Sequence, residues 1–145
     1  PTASAVSITT RNVFSNVIVK VQAGEGFTEA QLAAATVSVK LGQIKTGASI
    51  NLSTGVATAT GSGQTIVPFT SDGKHQALVV PQTISADDFI TVTVDGRDYT
   101  LSKDFTFVAN TQHTFTVTVT RTSSGINVGI GSWENDDIDH GGIAQ

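Results

Sequence analysis

The sequence contains no cysteine and no methionine, and it has only three prolines, one tryptophan and one tyrosine. Without cysteine the chain cannot form disulfides, use a catalytic thiol or build a cysteine-ligated zinc site. No apolar run approaches the roughly 20 residues that a membrane helix needs, so we expect no transmembrane segment. Charged residues are scarce at 14%, and the net charge of −4 argues against a nucleic-acid partner.

β-Branched residues are abundant instead. The chain holds 22 threonines, 17 valines and 11 isoleucines, which together exceed a third of its 145 residues. Such side chains are stiff at χ1 and suit a pleated sheet better than a helix. A chain of this length can bury a core without disulfides or metal. The composition therefore predicts one β-rich domain and disfavours a helical bundle.

Apolar and polar residues alternate along five segments, a pattern typical of strands with one buried face. These segments are Val17–Val21, Val37–Leu41, Ile90–Val94, Phe115–Val119 and Ile126–Ile130. Asp95-Gly96 and Ser124-Gly125 are typical of hairpin turns. We therefore predict an all-β, antiparallel Greek-key β-sandwich over residues 1–133, with 134–145 as a polar, acidic C-terminal tail.

Two segments depart from the strand pattern. The alanine-rich stretch 28–35 predicts one short helix, because Thr28 and Gln31 have the spacing of a capping box. The stretch Gly61–Gln76 is rich in glycine and polar residues, and we expect it to be irregular.

Motifs for catalysis are absent from the sequence. It has neither a Gly-x-Ser-x-Gly nucleophile elbow nor a phosphate-binding loop that ends in Gly-Lys-Ser/Thr. His75, His113 and His140 have no partners at metal-ligand spacing. We therefore expect no enzyme activity, no cofactor and no metal centre.

The acidic tail carries a weak calcium-binding pattern. Asn135, Asp137 and Asp139 place oxygen ligands at alternate positions, as a calcium loop does. His140 occupies the position where the sharp turn of that loop needs glycine. A solvated terminus is therefore the favoured interpretation.

Two aromatic residues are candidates for ligand binding. An exposed face of Trp133 or Tyr99 would stack on a sugar ring, which is the basis of an alternative function as a carbohydrate-binding surface module. The favoured interpretation of Trp133 is that it closes one end of the sandwich.

Several ordered motifs resemble the fimbrillin-like family, the subunits of type V pili in Gram-negative gut and oral bacteria. Pro81-Gln82-Thr83 is followed by Ile90-Thr91-Val92-Thr93-Val94 and by Gly96 and Tyr99, as in that family's signature. The segment 109–119 is similar to its penultimate strand, and Ile130 to Trp133 resembles its closing Ile-x-x-Trp. Upstream, the segments 23–28 and 48–55 match its usual approach to the helix and its Thr-Gly turn.

This resemblance implies a transthyretin-like sandwich without catalysis, located at the bacterial cell surface in a fimbrium. It implies export as a lipoprotein associated with the outer membrane, with two sandwiches of which this chain resembles the second. The implied partners are other pilin subunits or surface proteins, bound by β-augmentation, and host glycans or proteins.

The N-terminal segment is a candidate exchange strand. Val6, Ile8 and Thr10 alternate with polar residues, and Arg11 follows as a candidate processing site. Strand exchange requires an exposed sheet edge to which such a segment can add. The simpler alternative is that this segment is the first strand of its own domain.

Overall fold

A computed structural model describes residues 11–85, 88–122, 125–130 and 139–140. Within these ranges the chain forms twelve strands and one short helix. In chain order they are β1 (Ser15–Ala23), α1 (Glu29–Ala34), β2 (Val37–Asn51), β3 (Val56–Ile66), β4 (Phe69–Ser71), β5 (Lys74–Val79), β6 (Gln82–Ile84), β7 (Ile90–Val94), β8 (Arg97–Leu101), β9 (Phe105–Phe107), β10 (Gln112–Thr122), β11 (Gly125–Ile130) and β12 (Asp139–His140).

Two sheets form the layers of a β-sandwich. The first sheet has the order β11-β10-β1-β5-β4, and β12 also pairs with β10. The second sheet has the order β3-β2-β7-β8, while β6 and β9 form a separate two-stranded sheet. The predicted all-β sandwich is thus confirmed.

The alternating side chains meet in one core between the two sheets. Val17 and Val117 of the first sheet and Val92 of the second are at most 1% exposed, and all three belong to the same hydrophobic cluster. Their polar neighbours in sequence point away from the core because successive strand residues face opposite sides. The alternation therefore predicted the buried face correctly.

The helix and the turns follow their local sequence signals. Thr28 Oγ1 accepts a hydrogen bond from the N–H of Gln31, and the Gln31 side chain accepts one from the N–H of Thr28. Asp95 and Gly96 adopt φ values of 48° and 80° between β7 and β8. The predicted helix and the predicted hairpin turn are both confirmed.

The prediction of an irregular stretch at Gly61–Gln76 is wrong. This stretch contains the end of β3, all of β4 and the start of β5. The glycines and Pro68 of this stretch disfavour strands, but β3 pairs with β2, and β4 pairs with β5 across a tight turn at Asp72-Gly73. Pairing with neighbours decides strand formation here, since strand propensity depends strongly on context.

Candidate interaction surface

A group of exposed apolar residues lies where the chain passes from the second sheet to the first. β3 ends at Ile66, which pairs with Leu41 in the second sheet, and β4 begins at Phe69 beside β5. Pro68 stands between them and has no N–H group with which to extend a ladder. The ladder between β4 and β5 therefore stops at the pair Phe69–Gln76.

Beyond that point the outer side of β5 is open. The segment Ala77–Val79 pairs with β1 on its inner side, and no described strand pairs with it on the other. The backbone groups of an unpartnered edge are available to another extended chain. We call this segment the β5 edge.

An apolar cleft of about 180 Å³ lies against the β5 edge. It is lined by Phe14, Ile44, Lys45, Thr46, Ile66, Leu78, Val79 and Val80. Close to it in sequence, Val67 and Phe69 are 73% and 74% exposed, and Leu78 is 63% exposed. Exposed apolar side chains that group together on a protein surface usually mark an interaction site. Strand addition uses two features, the backbone groups of an open strand edge and a neighbouring apolar cleft, and both are found here.

The chain enters the sandwich beside this cleft. Phe14 lines the cleft, and the next residue, Ser15, pairs with Val79. Arg11 is exposed and stands only three residues before Phe14, a distance of about 10 Å in an extended chain. The candidate exchange residues Val6, Ile8 and Thr10 lie outside the described residues, so their role stays a prediction.

The two candidate sugar-stacking residues are not seen together. Tyr99 lies in β8 opposite Val92, is half-buried and packs against the hydrophobic core. Trp133 lies outside the described residues. The carbohydrate-binding interpretation therefore stays a prediction without a described aromatic platform.

The candidate calcium ligands are also mostly outside the described part of the chain. Asn135 and Asp137 lie there, whereas the backbone of Asp139 lies in β12 opposite Thr114. Among the residues that the structure describes, no three acidic, histidine or cysteine side chains cluster as metal ligands would.

A second cavity of about 310 Å³ lies beneath α1 and is lined by Val21, Glu29, Leu32, Ala33, Ala35, Val37, Thr70, Gly73 and His75. His75 Nδ1 lies 2.9 Å from Thr70 Oγ1, and the two atoms share a hydrogen bond. Burial lowers the pKa of His75 below its usual 6.5, because desolvation disfavours the imidazolium. Glu29 Oε1 accepts a hydrogen bond from the N–H of Ala23 at 3.0 Å. The cavity walls are mainly aliphatic, with these polar groups among them.

Sequence reasoning missed the cleft, although two signals for it exist. The run Ile66-Val67-Pro68-Phe69 and the run Ala77-Leu78-Val79-Val80 each place adjacent apolar residues where one face of a strand can bury only every second one. Pro68 marks the end of a ladder. Neither signal identifies which strands flank the cleft, because that depends on contacts between distant parts of the chain.

Within the described part of the chain, no helix has the length and hydrophobicity of a membrane-spanning segment.

Comparison with known proteins agrees with the architecture. A candidate cell adhesion protein of known structure from Bacteroides uniformis matches with a TM-score of 0.60 and 25% identity, over 86% of this chain and 52% of that one. A second, from Bacteroides fragilis, matches with a TM-score of 0.54 and 16% identity, over 88% of this chain and 48% of that one. The present chain thus spans about half the length of these structures. No curated protein matches it.

The family assignment rests on a match to nearly the whole sequence. The profile of the family described as fimbrillin-like matches residues 1–133, which include the strands of both sheets up to β11 and the cleft. The chain belongs to the fimbrillin-like family.

Proposed function

We propose that this chain is a non-catalytic structural and adhesive domain of a bacterial surface filament, and that it joins neighbouring subunits by β-strand complementation at the β5 edge. The observation that carries the proposal is the β5 edge itself, an open strand beside an apolar cleft. Membership of the fimbrillin-like family and the likeness to a candidate cell adhesion protein support a pilus or adhesion subunit.

An incoming strand at the β5 edge would be bound in two ways. Its backbone would hydrogen-bond to the outer groups of Ala77–Val79, and every second side chain would point into the cleft. The cleft volume of about 180 Å³ suits one or two aliphatic side chains. Among the described residues of the lining, Lys45 alone is charged, so an apolar strand fits the walls better than a charged one.

The exchange strand in this proposal is the segment that contains Val6, Ile8 and Thr10. These residues share one face of an extended chain and include two aliphatic side chains. While this segment stays attached through residues 12–14, its addition to the β5 edge of a neighbouring subunit would join the two copies. Cleavage after the exposed Arg11 would instead detach the segment and leave the cleft open to a strand from another source. Only residues 12–14 separate this N-terminal segment from Ser15, which pairs with Val79 at the β5 edge. The segment is therefore tethered close to the β5 edge of its own copy.

A peptide experiment tests this mechanism. A chain that lacks residues 1–11 is mixed with a synthetic peptide of residues 2–10, and binding is measured by calorimetry and by the melting temperature. We expect the peptide to bind and to raise the melting temperature, since a ligand that binds only the folded state stabilises it. A peptide with Ile8→Lys is expected not to bind, because the described lining of the cleft holds Lys45 and no carboxylate that could pair with a buried ammonium group.

Two matched variants locate the binding site. Leu78→Lys places a charge on the β5 edge, whereas Leu52→Lys makes the same change at a leucine that is 93% exposed in the β2–β3 turn. The first is expected to abolish peptide binding and the second to leave it unchanged. Absence of binding to the unmodified cleft, or equal binding by both variants, contradicts strand complementation at this edge.

The proposed location is the outer surface of a bacterium, in a fimbrium associated with the outer membrane through a lipidated precursor. The precursor sequence upstream of Pro1 tests this part separately. We expect it to contain a lipid-bearing cysteine and a first sandwich domain.

A further inference from the structure

The second sheet has an unprotected edge of its own. β3 is the terminal strand of that sheet and pairs with β2 alone among the described strands. It is 11 residues long, and most of its side chains are exposed. Long exposed edges usually carry proline or charged residues, especially lysine, which prevent pairing with another chain. β3 has none of these residues.

The absence of charged residues extends beyond β3 to the segments on both sides of it. No residue between Lys45 and Asp72 is charged, which makes this the longest uncharged run in the sequence. The opposite edge of the same sheet is different. β8 has only five residues, and two of them are Arg97 and Asp98. The protein thus carries charges on one edge of this sheet and omits them from the other.

The distal part of β2 and β3 extends away from the core as a two-stranded arm. We call residues 47–60 the β2–β3 arm, in which Gly47–Asn51 pair with Val56–Thr60. It begins after register shifts at Leu41–Ile44 and Lys45–Gly47, where the ribbon can bend. The side chains of Thr46–Asn51 are all exposed, so both faces of this part of β2 contact solvent.

The two faces of the arm differ in polarity. The directly paired residues Ile50–Ala57 and Ala48–Ala59 form an apolar face, and Ser49–Thr58 lie on the opposite, polar face. Ala57 is only 8% exposed, so the apolar face is already partly covered. No strand in the described part of the chain pairs with the outer side of β3, and the side chains of Val56, Thr58 and Thr60 are exposed.

We propose that the edge of β3 in the β2–β3 arm pairs with the same edge of a second copy, as two antiparallel strands related by a two-fold axis near Thr58. Such an isologous contact places a residue near the axis opposite its own counterpart, so a charge there would meet a like charge. An edge without charges avoids this repulsion and can therefore pair with the same edge of a second copy. The rest of the molecule carries the net negative charge, and the arm is the part that two copies can bring together with least repulsion.

The contact would be distinct from strand complementation at the β5 edge. It uses a different sheet and a strand already present in each copy, and it requires neither residues 1–11 nor the cleft. It pairs two filaments, or two subunits, side by side. The proposed partner is therefore a second copy of this chain.

A matched pair of lysine variants in the full chain tests the proposal. Thr58 and Ser49 are directly opposite each other, exposed and on the same face, but Thr58 is on the edge strand and Ser49 is on the inner strand. With the β5 edge blocked by Leu78→Lys, we expect the full chain to dimerise in sedimentation equilibrium. Adding Thr58→Lys is expected to raise the dissociation constant about fivefold or more, since like charges would face each other across the two-fold axis. Adding Ser49→Lys instead is expected to leave the dissociation constant unchanged.

Opposite charges at the same position provide the second arm of the test. Thr58→Lys and Thr58→Glu are each expected to weaken the dimer, and an equimolar mixture is expected to restore it as a heterodimer in native mass spectrometry. This recovery separates a broken contact from a misfolded variant. A Leu78→Lys chain that stays monomeric, a dimer insensitive to Thr58→Lys, or equal weakening by Ser49→Lys overturns the proposal.

Discussion

His75 illustrates how one buried side chain sets a pH response. The residue is 6% exposed in β5, its Nδ1 shares a hydrogen bond with Thr70 Oγ1, and burial lowers its pKa. A folded-state pKa below the unfolded value of 6.5 means that the unfolded chain binds more protons in the window between the two values. His75 therefore lowers the free energy of unfolding progressively as the pH falls through 6.5 towards the folded-state pKa.

The predicted outcome is that His75→Gln flattens this pH dependence. Urea unfolding at about pH 7.5 and about pH 5.5 should show a larger loss of stability for the wild type than for the variant. The two proteins differ only at residue 75, and Glu29 in the same cavity is present in both, so the difference between their pH profiles isolates the imidazole. Parallel pH profiles for the two proteins would show that His75 is not the titrating group.

Residue burial was predictable where a side chain belongs to a long alternating strand. Val17, Val92 and Val117 were identified as core residues from the pattern alone, and all are at most 1% exposed. His75 was not identified, because its burial depends on the three-residue strand β4 and on the helix above the cavity. Neither contact leaves a local signal in the sequence around His75.

At the level of elements, the small sheet of β6 and β9 is held to the core by aromatic side chains. Phe89 packs against Phe105, Phe107 and Phe115, with ring centroids 5.9, 5.7 and 5.2 Å apart. The last of these residues lies in β10, so the cluster connects β9 to the first sheet. Such ring pairs add stability beyond the area that they bury.

We therefore expect Phe89→Ala to lower the free energy of unfolding by about 3–5 kcal/mol, the usual cost of removing a large side chain from a closed core. Phe69→Ala is the matched control, since Phe69 is 74% exposed while Phe89 is 0% exposed. Its expected cost is within about 0.5 kcal/mol. Urea unfolding of both variants provides the measurement, and equal costs would be inconsistent with this account of the cluster.

Element boundaries were predictable only where a local rule sets them. The capping box at Thr28 and Gln31 and the hairpin turn at Asp95-Gly96 act over two to four residues, and both were predicted from the sequence. The strands in Gly61–Gln76 depend on pairing with β2 and β5, so glycine-rich composition misled the prediction. The cleft depends on the same pairings and was missed for the same reason.

At the scale of the whole molecule, strand order was the hardest feature to predict. The central strands β1 and β10 pair in parallel, with Val17 opposite His113, whereas the alternating pattern favoured antiparallel neighbours. Alternation specifies which face of a strand is buried but not which strand lies beside it. A parallel pair needs a long crossover connection, and here almost the whole domain lies between β1 and β10.

The two proposed contacts differ in symmetry, and this difference predicts different assemblies. Strand complementation joins a donor on one subunit to the β5 edge of another, so it is heterologous and leaves both ends open for further growth. Pairing of two β3 edges is isologous and closes with two copies. The contacts share no residue, so their free energies should be nearly additive.

We expect Leu78→Lys to stop assembly at dimers, and Thr58→Lys to leave only linear oligomers joined through the cleft. The double variant should be monomeric. Sedimentation velocity over a range of concentrations distinguishes these distributions, with Leu52→Lys and Ser49→Lys as controls that retain both contacts. If Leu78→Lys assembles beyond dimers, the β5 edge is not the site of filament growth. If Thr58→Lys still forms dimers with wild-type affinity, the β3 edge is not the dimer contact. Because each failure appears in a different variant, one proposal can fail while the other stands.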